Sequence, residues 1–161
     1  MALDIFLKLE NVTGESADKT HRKEIDVINW SWGLMNTGSA HIGGGAGMGK
    51  GEVRDLEVTK FVDTSSAKLM LACCSGTHFP SALLTVRKAG GGKPLEYYKV
   101  KMEEVMITYI SPNAAKNRFG QTEKVSLNFA KVTVDYTPQN GDGSAGTTKT
   151  FGWDIAANSK L

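Results

Sequence analysis

Alternation of apolar and polar positions dominates this chain. Leu3, Ile5, Leu7 and Leu9 share one face of a first strand, with Asp4 and Lys8 on the other. After a polar connection, Thr13 to Lys23, comes an apolar strand from Ile25 to Gly33 in which Trp30 and Trp32, two apart, lie on one face. Glu52 to Val62 is again extended, with Leu56, Val58 and Val62 sharing a face. Beyond Pro80, Ala82, Leu84 and Val86 alternate with Leu83, Thr85 and Arg87 as far as the turn Gly90-Gly91-Gly92. A final strand around Lys149 to Ile155 follows the turn-rich stretch Thr137 to Gly146.

Two long strands change phase part-way. Tyr98, Val100 and Met102 give way to Val105, Ile107 and Tyr109, a slip of one residue at Glu103-Glu104. Val125, Leu127 and Phe129 give way to Val132, Val134 and Tyr136, slipping at Ala130-Lys131. One-residue slips are the mark of β-bulges, which bend strands around a barrel corner. The alternative is a pair of strands with both faces partly covered, one of them by another subunit. One helix stands out, Ser65 to Cys74, with Asp63 or Thr64 as its cap and Gly76 as a left-handed stop. Ala67, Met70, Leu71 and Cys74 form the stripe expected to pack on a sheet. The predicted class is mainly β: an antiparallel β-barrel of two tight sheets with one flanking α-helix and an extended glycine-rich loop.

That loop, Gly38 to Gly51, is half glycine and has only Ile42 and Met48 as sizeable apolar groups. Ordering such a backbone costs about 1–2 kcal/mol per residue, which two side chains do not offset. It is therefore a phosphate cradle, a spacer, or an arm ordered by something outside the monomer.

Length and charge narrow the partners. With 161 residues, the chain reads as one domain spanning 1–161. Nineteen basic against 17 acidic residues give +2, which points to no nucleic-acid partner, and no apolar run is long enough for membrane insertion. The first residues alternate with Asp4 and Lys8 and so read as a strand, not as a signal peptide. The expected location on synthesis is the cytoplasm. Cys73 and Cys74 are adjacent and are read as reduced packing residues of the helix.

The motifs that suggest chemistry each lack a part. Gly44-x4-Gly49-Lys50 nearly spells a P-loop, but Gly51 stands where a hydroxyl must hold magnesium, and a strand pattern follows instead of a helix. Ser65-Ser66-Ala67-Lys68 matches S-x-x-K without its partner motifs. Glu103-Glu104 are bulge residues, and Asn140 to Ser144 lacks the terminal glutamate of a calcium loop. His21, His41 and His78 fall in three loops without metal-ligand spacing. The reading is a protein that is not an enzyme and needs no cofactor.

One set of residues is more specific. Gly14-Glu15-Ser16 with Asp18 and His21, Ile25-Asp26-Val27 into Trp30-Ser31-Trp32-Gly33, and Leu69 to Cys73 occur in this order. Leu84 to Gly91, Glu96-Tyr97-Tyr98, Val125 to Ala130 and Gly152-Trp153 complete the set. Over essentially its full length the chain resembles the haemolysin-coregulated protein (Hcp) family, the tube subunit of bacterial type VI secretion systems. The resemblance implies a β-barrel with a flanking helix, assembled as homohexameric rings that stack into a tube inside a contractile sheath, capped by a spike protein. It implies export through that system, which suits a chain read as having no signal peptide, and a lumen that carries small effectors; no appended effector domain is expected, since the chain ends soon after Gly152-Trp153. It also places the loop at the ring-to-ring contact, giving Gly38, His41, Ile42, Gly43, Gly44, Gly45, Gly47, Met48, Gly49 and Lys50 as stacking residues. Asn29 and Ser31 alternate with Ile28, Trp30 and Trp32, so they are expected on the opposite, lumen-facing side. The rival reading is a carbohydrate-binding β-module, suggested by the tryptophans and the strand pattern.

Overall fold

A computed structural model of the chain describes residues 2–38, 49–88, 92–114, 116 and 120–161. In chain order its elements are β1 (Leu3–Leu9), β2 (Ile25–Ser31), β3 (Leu34–Met35), β4 (Glu52–Val53), β5 (Leu56–Phe61), α1 (Ser66–Ser75), β6 (His78–Lys88), β7 (Leu95–Ala114), β8 (Gln121–Asn128), β9 (Lys131–Tyr136), β10 (Lys149–Asp154) and β11 (Ser159–Lys160). The strands β7-β6-β1-β2-β5-β8 are neighbours in that order, and β8 pairs back onto β7, closing a six-stranded antiparallel barrel. From β7 the sheet also continues outward through β9, β10 and β11, while β3 and β4 form a separate two-stranded ribbon.

The twenty residues of β7 make this closure possible. Its first half pairs with β9 from Tyr98 to Glu103, and its second half with β8 from Met106 to Ala114. Between the two registers sits Glu104, whose φ of 55° is left-handed. This is the bulge that the phase slip at Glu103-Glu104 predicts. The slip at Ala130-Lys131 is the matching step: β8 ends, β9 begins, and the Ala130 N–H donates to the Glu103 carbonyl at 3.0 Å. Both chains turn the same corner together.

Inside the barrel lie Leu7, Leu9, Ile25, Val27, Leu56, Val58, Leu84, Val100, Met102, Val105, Ile107, Val125 and Leu127. Burying each such side chain contributes roughly 1.5–3 kcal/mol, before the entropy of ordering is subtracted.

Three expectations from periodicity are corrected. The helix starts after Ser65 and is stopped by left-handed Gly76, but it buries Ser66, Leu69 and Ala72. The predicted stripe faces outward, with Leu71 67% exposed. Cys73 is half-buried and Cys74 exposed; both are free. Glu52 to Val62 is two strands, separated where the Arg54 N–H donates to the Gly33 carbonyl at 3.1 Å. Val62 does not continue the inward face of β5, because the strand ends at Phe61; the last inward residue is Lys60.

Lys60 is the reason the helix rotates. It stands directly opposite Glu123 across the β5–β8 seam, and both are buried. Its Nζ donates to Glu123 Oε1 at 2.6 Å, to Asp63 Oδ1 at 2.9 Å and to the Phe61 carbonyl at 2.8 Å. Ser66 turns inward to donate to the same Glu123 oxygen at 2.7 Å. A buried charge pair needs such partners, so the helix presents its serine, not its Met70-Leu71 face.

The connection between β1 and β2 is a folded strap. Gly14 N–H donates to the Lys23 carbonyl at 2.8 Å, Ser16 N–H to the Glu24 carbonyl at 3.0 Å, and Lys23 N–H to the Ser16 carbonyl at 2.8 Å. The two limbs are so close that a Cβ on Gly14 would lie 2.4 Å from the Glu24 carbonyl oxygen. Gly14→Ala should therefore cost about 1–3 kcal/mol by forcing the limbs apart. Thermal denaturation should show the midpoint falling by about 2–12 °C; an unchanged midpoint would show that the strap yields freely.

Candidate assembly and lumen surfaces

In β2, the register shifts between Val27 and Asn29. Ile25 and Val27 point into the core before this bulge, and Trp30 does so after it, stacked on Tyr98 with ring centroids 5.5 Å apart. Trp32 follows, its indole N–H donating to the Arg54 carbonyl at 2.9 Å and its ring tilted against Phe129. The two tryptophans thus share the inward side, as the alternation predicts. Ile28 does not join them; the bulge leaves it 44% exposed. Burial pushes the Tyr98 hydroxyl above its ordinary pKa.

Asn29 and Ser31 project the other way and are exposed. Asn29 lies opposite Thr59, which lies opposite Lys124, and Ser31 lies opposite Glu57. Together with Trp30 these side chains line a shallow concavity of about 130 Å³. The wall is short, polar and of mixed charge, with no large apolar side chain in it apart from the edge of Trp30.

A different surface surrounds the base of the glycine-rich loop. The β3–β4 ribbon pairs Leu34 with Val53 and Met35 with Glu52. Asn36 Nδ2 donates to the Gly49 carbonyl at 2.9 Å, and a Cβ on Gly49 would meet Thr37 Oγ1 at 2.4 Å, so only glycine permits this approach. Of the loop residues named from the sequence, Gly38, Gly49 and Lys50 belong to this base. His41, Ile42, Gly43, Gly44, Gly45, Gly47 and Met48 lie outside the described residues. Between the ribbon and β10 runs an apolar cleft of about 310 Å³, lined by Leu34, Met35 and Val53 on one side and Phe151 and Trp153 on the other. Leu34 is 52% exposed, Met35 44% and Phe151 39%. The barrel core does not use these side chains.

A third group was not legible as a site. His21 is buried under the strap, stacked on Phe6 with centroids 4.3 Å apart. Its Nδ1 lies 2.8 Å from Glu24 Oε2 and its Nε2 2.8 Å from Glu96 Oε1. Beside it Arg87 donates to Asp18 Oδ2 at 2.6 Å and Asp4 Oδ2 at 2.9 Å, its guanidinium 5.0 Å from the centre of the Phe6 ring. Spacing alone gives no hint of this cluster, because Glu96 is far away in sequence.

The family model described as "Type VI secretion system effector, Hcp" matches residues 6–136. The chain belongs to the Hcp family. Its curated relatives include Protein hcp1 of Pseudomonas aeruginosa, 49% identical over 159 residues and covering 98% of each chain. Among solved structures, Hcp1 from Salmonella typhimurium matches with a TM-score of 0.81 and 34% identity, covering 100% of both chains. A structure described as a type six secretion system protein matches with a TM-score of 0.92 and 31% identity, covering 99% of this chain and 100% of its own.

In this Hcp-family chain three of the features weighed for chemistry are part of the architecture, while Gly44 to Met48 of the near-P-loop lie outside the described residues. Ser65 Oγ donates to the Asp63 carboxylate and Lys68 Nζ to the Asn11 carbonyl, so the S-x-x-K residues each hold a neighbouring segment. Asn140 to Ser144 is a turn in which Asp142 Oδ1 accepts from Ser144 N–H at 2.9 Å, with Gly143 left-handed at φ 87°. Trp30 and Trp32, which suggested a carbohydrate platform, are packed on Tyr98 and Phe129. Among the described residues no helix is long and apolar enough to cross a membrane.

Proposed function

We propose that this chain is the tube subunit of a type VI secretion system, a structural part and not a catalyst. Residues 1–161 act as one domain, and six copies close into a ring. Rings stack within the contractile sheath beneath the spike protein and leave the cell through the system. Small effectors travel in the lumen. The observation that carries this reading is the apolar cleft between the β3–β4 ribbon and β10, whose exposed Leu34, Met35 and Phe151 lie outside a core that is already closed. Such a surface is costly in a monomer and is the mark of a contact with another chain. A patch that contacts a different patch on the next copy gives a ring when the rotation closes.

The glycine-rich segment Gly38 to Lys50 takes the ring-to-ring contact. The polar wall around Asn29 and Ser31 takes the lumen, since a short polar surface holds varied cargo without gripping any of it. Replacing Ser31 with tryptophan tests the lumen assignment. The ring should keep its mass, while co-purification of a small effector should fall at least about tenfold, a loss of about 1.4 kcal/mol of affinity. Equal retention by the variant would remove Asn29 and Ser31 from the lumen.

A further inference from the structure

Besides Glu15, which accepts from the Thr64 N–H ahead of α1 at 3.0 Å, the strap from Thr13 to Glu24 is attached to the barrel at two charged points. One is Asp18, which accepts from Arg87 of β6 and, in addition, from the Thr20 N–H at 2.9 Å. Hydrogen bonding from Arg87 holds the Asp18 carboxyl far below the usual carboxylate range, and Asp18 in turn raises Arg87 further. This anchor keeps its charges at any pH at which the protein is folded.

The second point is His21, and its chemistry differs. Both ring nitrogens face carboxylates at 2.8 Å, Glu24 at the strap's return into β2 and Glu96 on β7. A carboxylate only accepts, so both hydrogen bonds form only when both nitrogens carry protons, that is, when the ring is the imidazolium. Loss of one proton turns a lone pair toward a carboxylate in a site closed on one face by Phe6, so one of the two hydrogen bonds becomes a repulsive contact.

We propose that His21 is a protonation-dependent brace: charged, it ties the strap to β7, and neutral, it releases Glu96 and loosens the strap from the outer face of the barrel. The groups around it fix the direction of the effect. Glu96, which burial works to raise, is brought below the ordinary range by hydrogen bonds from Lys99 and His21, with Lys99 Nζ at 2.7 Å. Glu96 therefore stays ionised, and after the brace opens it keeps Lys99 as a partner. Asp18 and Arg87 do not titrate near neutrality, and Asp4 pairs with Arg87 from β1. Asp26 on β2 is pushed upward by loss of water. The brace is closed while the ring carries both protons and opens when it loses one.

Hydrogen exchange on the intact assembled protein tests this. The amides of Gly14, Ser16, Lys23 and Glu24, which carry the strap's internal hydrogen bonds, would be followed from about pH 5 to about pH 8 after correction for intrinsic exchange. Protection should fall about tenfold with rising pH in one titration step, while the β8 amides stay flat. His21→Gln should show the low protection at every pH. Glu96→Gln removes one of the two carboxylates that favour the imidazolium, so the step should move to lower pH. That variant alters a side chain at the barrel surface and keeps the test decisive should His21→Gln fail to fold. A flat profile in the unaltered protein, or an unmoved step in Glu96→Gln, would overturn the brace.

Discussion

Replacing Lys60 with methionine should destabilise the folded chain by about 3–5 kcal/mol, because it leaves Glu123 charged and buried without its partner. The pair is closed to solvent on both sides, with side-chain exposures of 0% and 0%. Glu123 Oε2 already has no hydrogen-bond partner among the described residues, so once the ammonium is gone the Ser66 hydroxyl at Oε1 is the one donor among them that remains to the carboxylate. The loss should be read as a shift in the midpoint of chemical denaturation. The double variant Lys60→Met, Glu123→Leu should be more stable than Lys60→Met alone, since removing both charges removes the desolvation penalty with the attraction. It should not recover fully, because Asp63 and Ser66 still turn polar groups toward the emptied site. A cost below about 1 kcal/mol for the single change would mean that water reaches the pair and that the seam between β5, β8 and α1 is open.

Leu34→Asp should leave the barrel folded and stop the ring from closing. Leu34 sits on the ribbon, paired with Val53 and outside the barrel core, so its far-ultraviolet spectrum and thermal midpoint as a folded chain should change little. A carboxylate placed in an apolar contact that excludes water costs several kcal/mol at each of the ring's repeated contacts, enough to move assembly beyond micromolar concentration. Phe151→Asp, across the same cleft, should do the same. Light scattering would report the 17.3 kDa chain alone. Rings of unchanged mass from both variants would place the subunit contact elsewhere.

The corner-turning part of the fold was legible in the sequence, because a phase slip is a local signal: Glu104 with its left-handed φ and the step at Ala130 both leave the alternation out of register. The side of the helix that faces inward was not. Met70 and Leu71 are the more apolar choice, yet the inward side is set by Ser66, which is needed by Lys60 and Glu123 from two different strands. Lysine on a strand reads as outward-facing, so nothing local reveals that Lys60 is the third inward residue of β5 after Leu56 and Val58. The same reason hides the His21 cluster, since its partners come from β7 and from the end of the strap. Alternation and spacing name Asp4, Arg87 and His21 singly, but nothing in them joins these residues into one cluster. Asn29 and Ser31 were placed by simple alternation with Trp30 and Trp32, which survives the bulge because the bulge lies before them. Ile28, within the bulge, was misplaced for the same reason.

The central claim is that this chain works as a closed ring of six. Light scattering coupled to size-exclusion chromatography of the unaltered protein, at micromolar concentration, measures it without labels or variants. The account predicts a single species of about six times the 17.3 kDa chain mass, or whole multiples of that ring. A single species at the mass of one chain, unchanged as concentration rises, would contradict it.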